Sequence, residues 1–218
     1  MKKTDIQIHH DVLEELKWDP RVDETEVGVQ VRDGVVTLTG AVTSWAKRVA
    51  AQEAAQRVIG VLDVANDLKV NVPGTRTDTD IAHAIRQALE WDVFVPHDKI
   101  HSTVSNGWVT LEGTVERTSQ REDAERAVRN LFGVRGITNM IALKDTSPVT
   151  GDVRKAIEQT LERRAEREAR RIKVDVHDGV VTLTGAVHTW AERKSVLAAV
   201  RFTPGVLSID DRLRLEPV

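Results

Sequence analysis

The sequence predicts an α+β protein built from three tandem copies of one αββαβ module. An eight-residue pattern occurs three times, at 33–40, 106–113 and 178–185, with spacings of 73 and 72 residues. A Gly-Val pair follows each pattern at the same distance of 20 residues, and helical periodicity flanks each one. We therefore expect modules at residues 5–72, 78–144 and 150–216, each a three-stranded mixed sheet with two helices on one face.

A two-residue turn is predicted within each copy of the pattern. Asp-Gly or Asn-Gly between Val-rich runs is typical of a type I′ hairpin, in which both central residues need positive φ. The three pairs are Asp33-Gly34, Asn106-Gly107 and Asp178-Gly179. Because strand side chains alternate, folding about the first turn places Val31 opposite Val36 and Val29 opposite Leu38 on one inner face.

Helices are expected before and after each hairpin. Apolar residues at helical spacing precede the hairpin, and the three helices expected after it lie at 46–59, 122–132 and 192–201. An alternating run then closes each copy as the last strand, with a short polar residue at the same place: Asn66, Asn139 or Asp211. This residue either caps a bulge or a helix end, or belongs to a shared ligand or ion site.

Composition excludes several classes of protein. The chain has 218 residues, a formal net charge of −3 and no Cys, so disulfides, thiolate metal sites and thiol nucleophiles are absent. The near-neutral charge argues against nucleic-acid binding, which usually needs a strong basic excess. No segment approaches the roughly 18 apolar residues of a membrane span. Residues 4–11 lack the apolar stretch of a signal peptide, which favours a cytoplasmic location.

The residues that could carry chemistry form no recognisable site. The seven histidines are scattered, and no Ser-His-Asp or paired-carboxylate pattern is present. The glycines of the repeated pattern lie at a hairpin turn and a strand end, which is not the arrangement of a phosphate-binding loop. We therefore expect no enzyme activity, no catalytic or metal site and no cofactor.

The modules resemble a known family. Residues 27–42 followed by Ser44-Trp45-Ala46-Lys47-Arg48 resemble the BON domain, which is named for bacterial osmotically inducible and nodulation proteins, and residues 172–187 with 189–193 resemble it equally. The middle copy differs, with Trp108 in the strand and no Trp at the start of the second helix. The resemblance implies association with phospholipid or the cell envelope under osmotic and other stress. Some relatives that sense potassium carry a LysM module, which has no counterpart here.

Three tryptophans are candidate contact residues. Trp45 and Trp190 follow the possible N-caps of the second helices. Each is interpreted as a hydrophobic staple, as packing between repeats, or as a side chain that enters a lipid headgroup region. Trp108 is predicted on the outer face of its sheet, where it contacts a neighbouring repeat or an external ligand, unless the strand register is shifted.

The most basic stretch of the chain is a candidate for binding an anionic surface. Its cations are Arg163, Arg164, Arg167, Arg170, Arg171 and Lys173. They form either the mixed-sign surface of a solvated helix, since glutamates lie among them, or a site for anionic lipid or phosphate.

Two functional classes follow from the sequence. The first is a stress-associated module that binds anionic phospholipid or another envelope component peripherally. The second is a cytosolic scaffold or a sensor of a small ligand or ion, which uses surfaces between repeats. The expected partner is thus an anionic lipid surface or another protein.

Overall fold

The computed structural model describes residues 3–74, 76–144, 157, 172–201, 203 and 206–216. In the first repeat the elements are α1 (Asp5–Trp18), β1 (Val27–Arg32), β2 (Val35–Val42), α2 (Trp45–Arg57), β3 (Asp63–Asn66) and β4 (Lys69–Val70). In the second they are α3 (Asp78–Trp91), β5 (Ile100–Ser105), β6 (Trp108–Val115), α4 (Thr118–Arg129), β7 (Gly136–Asn139) and β8 (Ala142–Leu143). In the third they are β9 (Ile172–His177), β10 (Val180–Val187), α5 (Trp190–Arg201) and β11 (Ser208–Leu215).

Each repeat forms its own mixed sheet, which confirms the predicted fold class. The hairpin strands are antiparallel, and the last strand of each repeat returns parallel to the second hairpin strand. The chain divides into two compact units, residues 1–114 with 121–142 and residues 115–120 with 143–218. The first two repeats therefore lie mostly in one unit.

The last strand differs from the single run that the sequence predicts. In the first two repeats it is broken into two short pieces, β3 with β4 and β7 with β8, whereas β11 is continuous over eight residues. In the first repeat the Asn66 Oδ1 accepts a hydrogen bond from the Leu68 amide at 3.3 Å. The equivalent bond, from the Leu213 amide to Asp211 Oδ1 at 3.1 Å, occurs within the continuous β11, so this bond alone does not account for the break.

The start of each helix reflects its capping residues. The Thr4 side chain accepts from the Gln7 amide while the Gln7 side chain accepts from Thr4, which forms a capping box at α1. Ser44 caps α2, so this helix begins at Trp45, one residue before the predicted start. Helix α4 begins at Thr118, four residues earlier than predicted, because its first turn is polar and carries no apolar stripe to read.

Both helices of the first repeat pack on the same face of its sheet. Val12 and Leu16 from α1 and Ala54 from α2 are completely buried with Val36 and Leu38 of β2 in one core. Small alanines on α2 allow this helix to approach the sheet closely. In the third repeat the first helix was predicted from Val153, Ile157 and Leu161. Only Ile157 lies within the described residues, and it is buried in the core of that repeat.

The hairpin turns have the conformation that type I′ geometry requires. Asp33 has φ 51° and Gly34 has φ 78°, and the pairs at Asn106 and Asp178 have closely similar values. The Asp5 carboxylate, in the first turn of α1, accepts hydrogen bonds from the Asp33 and Gly34 amides at 2.8 and 2.9 Å. Asp78 makes the same pair of bonds in the second repeat. One carboxylate thus fixes the turn against the first helix.

Replacing Gly34 by Val is expected to destabilise the first repeat by about 1 kcal/mol or more, because a β-branched residue resists positive φ. A Cβ at this position would also lie 3.0 Å from Leu62 carbon atoms. Urea denaturation of the full chain measures the change. Asp33→Gly is the control, since glycine adopts the φ of that position freely; equal losses in both variants would contradict the proposed cause.

Candidate functional site

Two of the candidate tryptophans contact each other. The rings of Trp45, on α2, and Trp108, on β6, meet edge to face with centroids 6.2 Å apart. Trp108 lies on the outer face of its sheet and remains half-exposed. Its ring lies directly over Gly136, where a Cβ would be 2.4 Å from ring carbon atoms, and its Nε1 donates to Thr138 Oγ1 at 2.9 Å. The contact joins the first and second repeats within the first unit.

The other tryptophan, Trp190, shares two features with Trp45. The Arg193 guanidinium lies 5.0 Å from the Trp190 ring centroid, and Arg48 lies 4.9 Å from that of Trp45. The Nε1 atoms of both tryptophans are buried and have no hydrogen-bond partner among the described residues. Each ring is thus contacted by an arginine of its own helix.

The polar residue of the last strand connects that strand to the second helix. Asn66 Nδ2 donates to the Arg48 carbonyl oxygen at 3.0 Å, and the Arg48 guanidinium donates to the carbonyl oxygens of Leu68 and Asn66. Asn139 makes the equivalent bond to the backbone of α4, and Asp211 accepts from a guanidinium of α5. Hydrogen bonds within the repeat account for these side chains, which favours the structural interpretation over a ligand site.

The predicted basic surface falls mostly outside the described residues. This applies to its five arginines, Arg163, Arg164, Arg167, Arg170 and Arg171. Lys173, at the start of β9, is exposed and lies 3.5 Å from Asp175.

Three strongly exposed large apolar side chains lie at the end of helix α3 and just after it. Trp91 is 86% exposed, Val93 88% and Phe94 70%, and these three residues are called the apolar tip below. The sequence reasoning did not single them out as a site. The sequence did contain a signal for exposure. The buried residues of α3 are Ile81, Ile85 and Leu89, and the three large apolar residues of the tip do not continue this spacing.

The backbone presents the apolar tip in a fixed turn. The Asp92 carboxylate accepts from the Phe94 amide at 3.0 Å, and the Val95 amide donates to the Asp92 carbonyl oxygen at 3.0 Å. Val95 itself is buried, so the turn is anchored immediately after the tip. A rigid turn between a helix and a buried anchor leaves the three side chains pointing into solvent.

The corresponding loop of the first repeat has an arginine in place of one of the apolar residues of the tip. Trp18 is 77% exposed there, but Pro20 and Arg21 stand where the second repeat has Val93 and Phe94. Arg21 donates to the buried Asp19 carboxylate at 2.8 Å, and Arg57 of α2 donates to the same carboxylate at 2.8 Å.

These ion pairs change the titration of Asp19. Hydrogen bonds from Arg21, and then from Arg57, hold the pKa of this carboxyl well below its ordinary value, and they outweigh the burial that would raise it. The first repeat therefore uses this loop to close its own structure.

Charges of both signs surround the apolar tip. Arg86 on α3 lies 2.8 Å from Glu90, and Lys99 and Asp98 are exposed on the segment that leads into β5. The tip is therefore not part of a strongly basic surface.

The described residues contain neither a cluster of metal-ligating side chains nor a membrane-spanning helix. In that part of the chain no group of three or more His, Cys, Asp or Glu side chains could hold a metal ion. Nor does any helix described there have the length and apolar character needed to span a membrane. What the geometry offers is contact surface, formed by the apolar tip and by the outer faces of helices and sheets.

Comparison with protein families decides the affiliation of the chain. The BON domain model matches residues 4–72, 77–145 and 150–217, which together cover nearly the whole sequence. The chain belongs to the BON-domain family. Osmotically-inducible protein Y of Escherichia coli (strain K12) is 31% identical to this BON protein over 129 residues. The match covers 56% of this chain and 64% of that relative, so the chain spans less than two thirds of the relative's length.

Solved structures were also compared with the BON protein. CdsD, a structural protein of the type III secretion system of Chlamydia trachomatis, matches with a TM-score of 0.28 and 14% identity, covering 97% of this chain and 93% of that chain. A structure of the C-terminal domain of CdsD matches with a TM-score of 0.27 and 14% identity, covering 99% and 100%. Likeness at these scores indicates neither fold nor function.

Replacing Asp19 by Asn is expected to destabilise the first repeat by about 2–3 kcal/mol at neutral pH, because two guanidinium groups lose a buried anionic partner. Since folding lowers the pKa of Asp19, its contribution is complete above about pH 5 and is lost as the pH falls below about 4. The gap between native and variant stability, measured by urea denaturation at several pH values, should therefore narrow in acid.

The matched control for this change is Asp92→Asn. Asp92 occupies the same place in the second repeat, where the structure shows its side chain accepting from a backbone amide. This variant should lose less stability. A gap for Asp19→Asn that stays constant from pH 7 to roughly pH 2.5 would contradict the ion-pair explanation.

Proposed function

We propose that this BON protein is a non-enzymatic, stress-associated binding protein that contacts anionic phospholipid surfaces peripherally through the apolar tip. The observation that carries the proposal is the exposure of Trp91, Val93 and Phe94 on one anchored turn. An exposed apolar cluster of this kind is typical of a surface that meets a partner. Trp is suited to the boundary of a bilayer, because its ring is apolar and its N–H can remain hydrated.

The size of the tip supports a shallow and reversible contact. Burying a large apolar side chain contributes roughly 1.5–3 kcal/mol, so three contribute on the order of 5–8 kcal/mol before the costs of association. This is comparable with a single myristoyl chain, which gives only marginal membrane binding with an association constant of about 10⁴ M⁻¹. Stable attachment then needs a second contribution.

Cations supply that second contribution in the proposal. Each basic residue near an anionic membrane surface contributes about 1 kcal/mol. Near the tip, acidic side chains offset the cations, since Glu90 pairs with Arg86 at 2.8 Å and Asp98 precedes Lys99, so this contribution has to come from another surface of the chain. The sequence predicts such a cationic surface at the five arginines between residues 163 and 171. A cytoplasmic location also stays a sequence-based prediction. The name of the Escherichia coli relative, an osmotically-inducible protein, supports the association with stress.

Removing the apolar tip should weaken binding to anionic vesicles at least tenfold. The variant combines Trp91→Ser, Val93→Ser and Phe94→Ser, which are exposed enough to leave the fold intact. Binding is measured by cosedimentation with vesicles of phosphatidylglycerol and phosphatidylcholine, at low and physiological salt. Trp18→Ser is the matched control, because Trp18 is similarly exposed at the same place in the first repeat, and it should bind like the native protein.

Three results distinguish the possibilities. Native protein that binds phosphatidylglycerol vesicles more strongly than pure phosphatidylcholine vesicles, with the loss confined to the tip variant, supports the proposal. A loss caused only by replacing the five arginines with Gln places the contact on the basic stretch and overturns the role of the tip. Native protein that ignores anionic vesicles even at low salt overturns lipid binding altogether.

The second candidate function, a scaffold or a small-ligand or ion sensor, has one structural feature in its favour. A cleft of about 310 Å³ lies between the first and second repeats within the first unit. Its lining includes Val49 and Glu53 of α2 and Arg129 of α4. Glu53 already pairs with Arg21 at 3.0 Å and with Arg129 at 3.7 Å, so an anionic ligand would have to compete with Glu53. A thermal-shift screen in which a compound stabilises the native chain would favour this function.

A further inference from the structure

The contact between the first two repeats has two different sides. One side is helix α2, which contributes Trp45 and Glu53. The other is the second repeat, which contributes Trp108 from the outer face of its sheet and Arg129 from the end of α4. The helix side and the sheet side are different surfaces, so the contact is heterologous. When both sides are available on every copy, surfaces of this kind link copies head to tail into open chains or closed rings.

The helix side recurs on the third repeat. Trp190 opens α5 as Trp45 opens α2, each with an arginine over its ring at nearly the same distance. Both tryptophans have a buried Nε1 without a hydrogen-bond partner among the described residues. The anchor of the helix side is therefore fully formed on α5.

On α5 the strip beside this tryptophan is open. Ala46 and Val49 of α2 are partly buried and Ala50 is almost completely buried, beside the cleft with the second repeat. The residues at the same three places on α5 are Ala191, Lys194 and Ser195, and all three are exposed. The described part of the chain thus leaves the helix side of the third repeat uncovered.

The sheet side is open on the first repeat. Val35, which stands where the second repeat has Trp108, is 38% exposed. Asp63 and Ala65, at the places of Gly136 and Thr138, are exposed on the neighbouring strand β3. In the described part of the chain, the helix side is therefore open on α5 and the sheet side is open on β2 and β3. The sheet of the third repeat instead contacts the start of α4, where Thr118 Oγ1 donates to the Leu207 carbonyl oxygen at 2.7 Å.

We propose that a second copy of this chain occupies the open helix side: α5 of one copy lies on the outer face of the β1–β2–β3 sheet of the next. The partner follows from continuity with the contact between the first two repeats, which shows that a BON helix of this kind and a BON sheet face fit each other. The association is head to tail, so dimers add further copies and grow into open chains, or into rings where the rotation between copies closes.

The association is expected to be weak. A short linker holds the first and second repeats together at an effective concentration on the order of millimolar, and separate copies lack that advantage. Val35 also offers less contact area than Trp108. Self-association should therefore become visible at chain concentrations of roughly 0.1–1 mM.

The test blocks each side separately in the full chain. Val35→Glu places a charge on the sheet side, and Ser195→Glu places one on the helix side. By sedimentation velocity, the native chain should show an average mass that rises with concentration, while each variant alone stays at the mass of one chain. An equal mixture of the two should form dimers and stop there. Each pair of variants has one unblocked helix side and one unblocked sheet side, and the dimer contact uses both.

Matched variants separate this cause from general effects. Val180→Glu changes the same place in the third repeat, within an identical strand sequence. It should leave self-association unchanged, because that sheet already contacts the start of α4 through the hydrogen bond from Thr118 Oγ1 to the Leu207 carbonyl oxygen. The combination Val35→Trp, Asp63→Gly and Ala65→Thr copies the face that holds Trp108. It should strengthen association at least tenfold, because the ring then has the space and the hydrogen-bond partner found in the second repeat.

Several results would overturn the proposal. A native chain and a Val35→Trp, Asp63→Gly, Ala65→Thr variant that both stay monomeric at roughly 1 mM rule out the association. Self-association that is abolished by Ser195→Glu but untouched by Val35→Glu shows a symmetric dimer between two helix sides. A mixture of the blocked variants that stays monomeric excludes the complementary pairing, provided that circular dichroism shows both variants to be folded.

Discussion

Positive φ at two successive residues is the constraint on which each repeat depends. Asp33 and Gly34 adopt it together, and their amides then point at the Asp5 carboxylate. This fixes the hairpin register, with Val31 opposite Val36, and it fixes where the first helix begins relative to the sheet. A slip of one residue would move every inward valine to the outer face. The turn, the register and the core are therefore one linked arrangement.

Features that depend on neighbouring residues could be predicted from the sequence, and features that depend on distant ones could not. The Asp-Gly turns and the inward faces follow from steric limits on φ and from strand alternation. The break in the last strand was missed. In the two broken strands Asn66 and Asn139 donate to carbonyl oxygens of the second helix, 18 residues away in sequence, and strand periodicity does not reveal such bonds. The ion pair between Asp19 and Arg57 joins residues 38 apart in sequence, and charge spacing did not reveal it.

The candidate surfaces show the same division. Strand alternation predicts Trp108 on the outer face of its sheet, and the structure shows it there beside Trp45. The apolar tip could not be predicted in this way, because its exposure depends on where α3 ends and on the burial of Val95. Arginine at the place of Phe94 turns the corresponding loop of the first repeat into part of an ion-pair network. The first two repeats thus carry different surfaces at the same place of one fold.

The continuous last strand of the third repeat has a consequence for solubility. Among the described residues, strand β11 lies at one edge of the sheet order β11–β10–β9, and those of its backbone N–H and C=O groups that point away from β10 face no strand there. An edge of this length invites pairing with a strand of another molecule, whereas the broken strands of the first two repeats offer only short segments. Strand β11 also carries charges, among them Asp210 and Arg214. Charged side chains along an exposed edge discourage such pairing, so in this repeat charge replaces the strand break as protection against aggregation.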